Sequence, residues 1–189
     1  MEENQKIGIV ALDTETSGVD FDTSQVIQCG AIFCDKDLNE LCECSWNVNF
    51  LADEFSWDEE SEEIHKISRE EAETHGVDPN KFIEEMEKNI NNNYDAQTEL
   101  LILAANAYFD NLMLKSLWGR YAKDKRFPFS YRTIDLSSFG MGLFGETGFS
   151  KLRERLGIEG DEDMLHNAMY DARLHLSTYR AILEYINKR

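Results

Sequence analysis

The sequence predicts an α/β fold: a central five-stranded mixed sheet, three antiparallel strands followed by parallel strands, with helices on both faces. Three observations predict it. Short β-branched apolar runs fill the first fifty residues and are separated by turn residues, as in an antiparallel meander. A further apolar run after residue 98 is followed at once by helical periodicity, the strand-then-helix order that parallel pairing requires. The chain has 189 residues, 42% of them hydrophobic, with 2 prolines and 11 glycines, which suits one sizeable core and not two with a linker. Residues 1–189 therefore read as a single domain.

The elements follow in order. Residues 6–12 (KIGIVAL) form a first strand that ends abruptly at polar Asp13-Thr14-Glu15-Thr16-Ser17-Gly18. Residues 26–34 and 41–50 are the second and third strands, joined by Asp35-Lys36-Asp37, a tight-turn composition. From 53 to 93 the pattern is helical and acidic. Asp78 caps a helix that starts at Pro79 and buries Phe82, Ile83, Met86 and Ile90, and Asn91-Asn92-Asn93 reads as a loop. Residues 99–104 (ELLILA) are the next strand, followed by a helical run through Leu112, Leu114 and Leu117. Phe127-Pro128-Phe129 turns into a last short strand over 131–136. Ser150 caps a helix with Leu152 and Leu156 on its apolar side and Gly157 at its end, and a final helix runs over about 168–187.

Charge is unevenly spread. The chain carries 19 basic and 37 acidic residues, a formal charge of −18, which by itself speaks against a nucleic-acid partner. Residues 1–100 hold 26 acids and 6 bases, whereas residues 101–189 hold 11 acids and 13 bases. Arg120, Lys123, Lys125, Arg126 and Arg132 lie close in sequence, as a basic patch or a solvated face. No stretch approaches 18 uncharged apolar residues and the N-terminus is acidic, so neither membrane insertion nor secretion is expected. Cys29, Cys34, Cys42 and Cys44 have spacings unlike those of a zinc knuckle and no neighbouring histidine. Buried thiols in a reducing, cytoplasmic setting are the expectation.

Chemistry is expected where the strands end. Asp13 and Glu15 are two apart, so on an extended chain both carboxylates share a face and invite a hard divalent cation. Two such ions can hold the attacking and leaving oxygens of a phosphodiester, which needs further acids. Asp110, just beyond the fourth strand, and Asp171, early in the last helix, are the candidates. His166 lies in or just before that helix's first turn, placed to act as a general base beside Asp171. Asp58-Glu59-Glu60 repeats the Asp-x-Glu spacing, so the order and setting of the acids carry more than any one pattern. His75 and His175 carry no assignment.

Three segments together carry a resemblance: Ala11-Leu12-Asp13-Thr14-Glu15-Thr16-Ser17-Gly18, then Ala105-Asn106-Ala107-Tyr108-Phe109-Asp110, then His166-Asn167-Ala168-Met169-Tyr170-Asp171-Ala172. In this order they resemble the DEDDh branch of the DEDD 3′–5′ exonucleases, which have a ribonuclease H-like fold. Ile64-His65-Lys66-Ile67 resembles the family's Ile-His-Gly-Ile, and LRERLGI over 152–158 resembles the helix before its third motif. Lys66 stands where the family usually has glycine, and Ala105 where many members have histidine.

The resemblance implies removal of nucleoside 5′-monophosphates from a 3′ end with two Mg2+ or Mn2+ ions. It implies Asp13, Glu15 and Asp171 as metal ligands, with Asp13 bridging to a second ion supported by Asp110, and His166 deprotonating the attacking water. Thr14 and Thr16 would contact the terminal nucleotide, Asn106 and Phe109 would line its pocket, and Ile64 and His65 would pack against its base; a half-buried structural role for His65 competes with the last.

Implied partners are the 3′ ends of single-stranded or short DNA or RNA, with a homodimer or a polymerase partner left open. Tyr131-Arg132-Thr133-Ile134-Asp135-Leu136-Ser137-Ser138 is similar to a segment of oligoribonuclease, a pull towards RNA or short oligomers, and the acidic surface suits short substrates; neither separates RNA from DNA. Two other classes stay open: a catalytically inactive scaffold, and a binding protein whose acidic half mimics nucleic acid.

Overall fold

The computed structural model describes residues 6–161 and 164–188. Strands β1 (Ile7–Thr16), β2 (Val26–Asp35), β3 (Glu40–Asn47), β4 (Glu99–Ala104) and β5 (Phe129–Asp135) form one sheet in the order β3-β2-β1-β4-β5. β1 and β3 each run antiparallel to β2, whereas β1, β4 and β5 are mutually parallel. The expected meander followed by parallel strands is therefore what the chain builds.

Alternation along the strands gives the sheet two apolar faces. Val10 and Leu12 of β1, Cys29, Ala31 and Phe33 of β2, and Leu100 and Ile102 of β4 pack against helices α3 (Pro79–Asn93) and α4 (Ala107–Tyr121). Ile9, Ala11, Ile32, Cys34 and Leu103 point the other way, against α5 (Leu136–Phe144), α6 (Phe149–Leu156) and α7 (Ala168–Asn187). Two short helices, α1 (Glu59–His65) and α2 (Arg69–Thr74), complete the structure beside a small cluster of Ile27, Phe50, Phe55 and Ala72. No helix among the described residues is long and apolar enough to cross a membrane.

Several boundaries differ from the sequence reading. β1 does not stop at residue 12 but runs through the acids to Thr16, because β2 continues to pair with it, Asp13 opposite Gly30 and Glu15 opposite Gln28. β3 ends at Asn47; beyond it Asn49 and Phe50 donate their amides to the carbonyls of Val77 and Ala72. Asn91-Asn92-Asn93 is the last turn of α3, held by buried Ile90 and by Asn93, whose side-chain amide donates to the Asn89 carbonyl. Ser150 lies inside α6, whose N-cap is Gly148; the earlier start brings the Phe149 ring against His175. β5 ends at Asp135, which accepts the Ser138 amide at 3.1 Å and so caps α5, a helix absent from the sequence reading. All four cysteines are free, Cys29 and Cys34 buried and Cys42 and Cys44 half-buried.

The start of α7 lies directly on β2. A Cβ on Gly30 would sit 2.4 Å from the Ala168 carbonyl carbon and the Met169 Cα. The Ala168 amide donates to Gln28 Oε1 at 2.8 Å, in the same place. Gly30→Ala must push the helix start away, so about 1–3 kcal/mol of stability should be lost in urea denaturation. A variant of unchanged stability would show that this contact yields.

Candidate active site

Strand β1 carries Asp13 and Glu15 on the face of Ile9 and Ala11, towards α7, while Thr14 points towards α4. Asp110 lies in the first turn of α4 and Asp171 in the first turn of α7. The β1–β4 ladder is last paired at Ala11 and Leu103, and from there the strands part. The four acids meet in that crevice at the carboxyl ends of parallel strands, the place where such sheets bind ligands. Thr14 Oγ1 donates to Asp110 Oδ1 at 2.8 Å across the gap, and the His166 amide donates to Asp171 Oδ2 at 2.8 Å.

Packing these groups together disfavours their ionised forms. Burial, then the charges of Asp110, Glu15 and Asp171, hold Asp13 well above the usual carboxylate range. Burial, with Asp171 and Asp110, pushes Glu15 up to about 8, and burial pushes Asp110 up to about 7 against the Thr14 hydrogen bonds. Asp171 is raised by burial and drawn back by the His166 amide and by the positive charge of Arg153. Among the described residues no lysine or arginine forms an ion pair with any of the four. A hard divalent cation fits this donor set, since it would supply the missing positive charge through oxygen ligands. Glu15, His166 and Asp171 already offer ligand atoms that all lie within 4.8 Å of one another.

The sign of the resulting pH dependence follows. Glu15 and Asp110 titrate in the ordinary carboxylate range when unfolded but at about 8 and about 7 when folded, and Asp13 and Asp171 are raised too, so between the unfolded and folded values the folded chain binds more protons. Stability is then fully present at low pH and is lost as pH rises towards the folded values. With chelator, the melting temperature should fall between about pH 5 and about pH 8. Excess Mg2+ should flatten that slope, and an identical slope with and without Mg2+ would contradict it.

Non-glycine residues in the left-handed region gather around the crevice: Lys66 (φ 61°), Asn106 (φ 59°) and His166 (φ 63°), with Leu38 (φ 64°) in the distant β2–β3 turn. Asn106 precedes α4 without capping it, leaving its side chain exposed beside Ser137, whose hydroxyl is 3.3 Å away. Lys66 ends α1 in a conformation that favours glycine.

Of the other residues named from sequence, Thr14 and Thr16 are buried, and the Thr16 hydroxyl donates to the Gly18 carbonyl at 2.7 Å. Phe109 packs partly into the α3–α4 side of the core. Ile64 is exposed, whereas His65 is buried, its Nδ1 accepting the Ile67 amide at 3.0 Å and its ring edge-on to Trp57. Burial lowers the His65 pKa, and the nearby His166 acts in the same direction. Three of the five basic residues named over 120–132 have acidic or carbonyl partners: Lys125 pairs with Glu87, Arg132 with Glu99, and Arg120 donates to the Asp22 carbonyl.

The sequence reading missed two polar residues behind the acids. His175, only 2% exposed, sets Nδ1 2.9 Å from the Leu12 carbonyl and Nε2 4.0 Å from Asp13 Oδ1. Burial pushes its pKa down to about 4, so the ring is neutral. Arg153 is buried on α6 with its guanidinium 5.3 Å from the Phe149 ring centre. The available signal was a histidine four residues beyond Asp171, inside an otherwise apolar helix stripe.

Known proteins resemble this chain in sequence and in fold. A family model described as RNase_T, Exonuclease, matches residues 10–179. The chain is 33% identical over 92 residues to a ribonuclease T of Wigglesworthia glossinidia brevipalpis, covering 48% of this chain and 41% of the relative. It is 25% identical over 173 residues to a ribonuclease T of Vibrio cholerae, covering 86% of this chain and 75% of the relative. Among solved structures, a zinc-bound E. coli exonuclease I–single-stranded DNA complex superposes with a TM-score of 0.75 at 18% identity, covering 97% of this chain and 43% of that one. An exonuclease I from Methylocaldum szegediense gives 0.74 at 17% identity, covering 94% and 40%. The fold is thus shared, and the chain spans less than half of the exonuclease I structures.

Proposed function

Because the chain belongs to the exonuclease family whose model spans residues 10–179, we propose that it is a metal-dependent 3′–5′ exonuclease acting on single-stranded or short DNA or RNA. The observation that carries this reading is the meeting of Asp13, Glu15, Asp110 and Asp171 at one crevice, with their ionised forms disfavoured until a cation is supplied. The inactive-scaffold and nucleic-acid-mimic readings leave that arrangement without a cause.

Asp13, Glu15 and Asp171 would hold one Mg2+ or Mn2+ ion, and Asp13 with Asp110 a second. When bound, such ions neutralise the carboxylates, activate water and stabilise charge growing on the phosphate. The chain's own groups do the rest. His166 takes one proton of the attacking water as the water oxygen bonds to phosphorus and the bond to the 3′ oxygen of the shortened chain breaks; that oxygen gains a proton from solvent and becomes the new 3′-hydroxyl, and a nucleoside 5′-monophosphate is released. The Asp171 carboxylate, held by the His166 amide, fixes the distance between base and metal ligand. Thr14 orients Asp110. The exposed rim of Ile64 and Asn106, with Phe109, Thr14, Thr16 and His65 behind it, would seat the terminal nucleotide. The acidic surface favours short substrates, because a long backbone needs more basic contacts.

Identification of the product tests this reading. Mass analysis of a digested oligonucleotide should show nucleoside 5′-monophosphates, and a 3′-phosphate on the substrate should block their release. Nucleoside 3′-monophosphates or internal fragments would refute it.

A further inference from the structure

We propose that His175 is a positioning residue for the carboxylate cluster: its ring ties the end of β1, which carries Asp13, to the helix that carries Asp171. The proposal rests on the exonuclease reading for its link to turnover, but its structural part stands on the geometry alone.

The Leu12 carbonyl lies one residue past the last β1–β4 pair, where the parallel ladder stops supplying partners. A buried carbonyl there needs a donor from elsewhere. His175 Nδ1 is 2.9 Å from it, and since a carbonyl only accepts, Nδ1 carries the proton. In the neutral ring Nε2 is then the unprotonated nitrogen. It faces Asp13 Oδ1 at 4.0 Å. The ring is held in turn by Phe149, edge-on at 5.0 Å between centres, and Arg153 lies over Phe149.

His175 is one helical turn beyond Asp171, on the same face of α7. A single rigid turn thus carries one proposed ligand and also grips the backbone next to another. The first residue of the same helix is fixed to Gln28, whose β1 partner is Glu15. The backbones that carry Asp13, Glu15 and Asp171 are therefore tied together through α7, while the His166 amide in the loop before it holds the Asp171 carboxylate. An apolar side chain of similar volume would fill the same space and leave the Leu12 carbonyl without a donor.

The test compares His175→Phe, His175→Ala and His175→Asn with the parent chain. Mn2+ binding is measured by calorimetry, kcat and KM on a short oligonucleotide at saturating Mn2+, and the melting temperature alongside. Phe and Ala should weaken Mn2+ binding about tenfold or more and lower kcat by a similar factor with KM nearly unchanged. Asn, whose amide can still donate to Leu12, should recover most of both. If Phe fails to fold, Ala and Asn give the same comparison. Parent-like Mn2+ affinity in a folded Phe or Ala variant overturns the proposal, as does an Asn variant no better than Ala. A parent chain that binds Mn2+ but cuts nothing, with affinity still lost in Phe, supports the positioning role and rejects the exonuclease reading instead.

Discussion

Asp13→Asn should abolish turnover, by about a thousandfold or more, while raising the melting temperature of the chelated protein. Both effects come from one cause. Asp13 is pressed by burial and by Asp110, Glu15 and Asp171, so its ionised form is held in place against repulsion. An amide of the same shape relieves that repulsion but cannot bridge cations. Relief of about 1 kcal/mol corresponds to roughly 2–4 °C in a domain of this size. The gain should grow as pH rises and vanish only below about pH 4, where the carboxyl is protonated in the unfolded chain as well. A variant that keeps near-parent rates, or that melts lower than the parent in chelator at high pH, would contradict this.

His166→Asn should lower kcat by about a hundredfold to ten-thousandfold and leave Mn2+ affinity close to that of the parent chain. The contact that orders Asp171 comes from the His166 backbone amide, not its ring, and so survives the substitution. Asparagine also tolerates the left-handed backbone at φ 63°, which alanine would strain. Comparable rates in the two proteins, or a parallel loss of Mn2+ binding, would remove His166 from the role of base.

Local signals were enough for the elements whose boundaries are local. β4 and α7 match their predicted limits because the apolar run of 99–104 ends sharply and Asn167 caps the final helix, accepting the Tyr170 amide at 3.2 Å. The extent of β1 was not readable, since its last four residues are strand only through pairing with β2. Helix α5 was hidden by Gly140 and Gly142, although Asp135 supplied a cap; Gly140 is needed because a Cβ there would lie 2.6 Å from the Glu146 carbonyl oxygen. Within the site, the meeting of the acids was legible in the order of the three motifs and not in the element boundaries, since β1 runs past its predicted end and Asn106 does not cap α4. His175 was not readable: a lone histidine in an apolar stripe acquires meaning only from the Leu12 carbonyl, 163 residues away in sequence. Of the basic residues of 120–132, Lys125 and Arg132 pair with Glu87 and Glu99, partners remote in sequence that a local charge count does not show.

The most direct measurement is a time course on 5′-labelled single-stranded DNA and RNA of matched sequence, down to dinucleotides, with Mg2+ or Mn2+, against chelator and Asp13→Asn. A ladder shortening from the 3′ end, present only with the metal and absent in the variant, is the predicted result, and its rates rank the two sugars. No ladder on either substrate at any length, or one that persists in chelator or in Asp13→Asn, would contradict the assignment of the crevice as a metal-dependent exonuclease site.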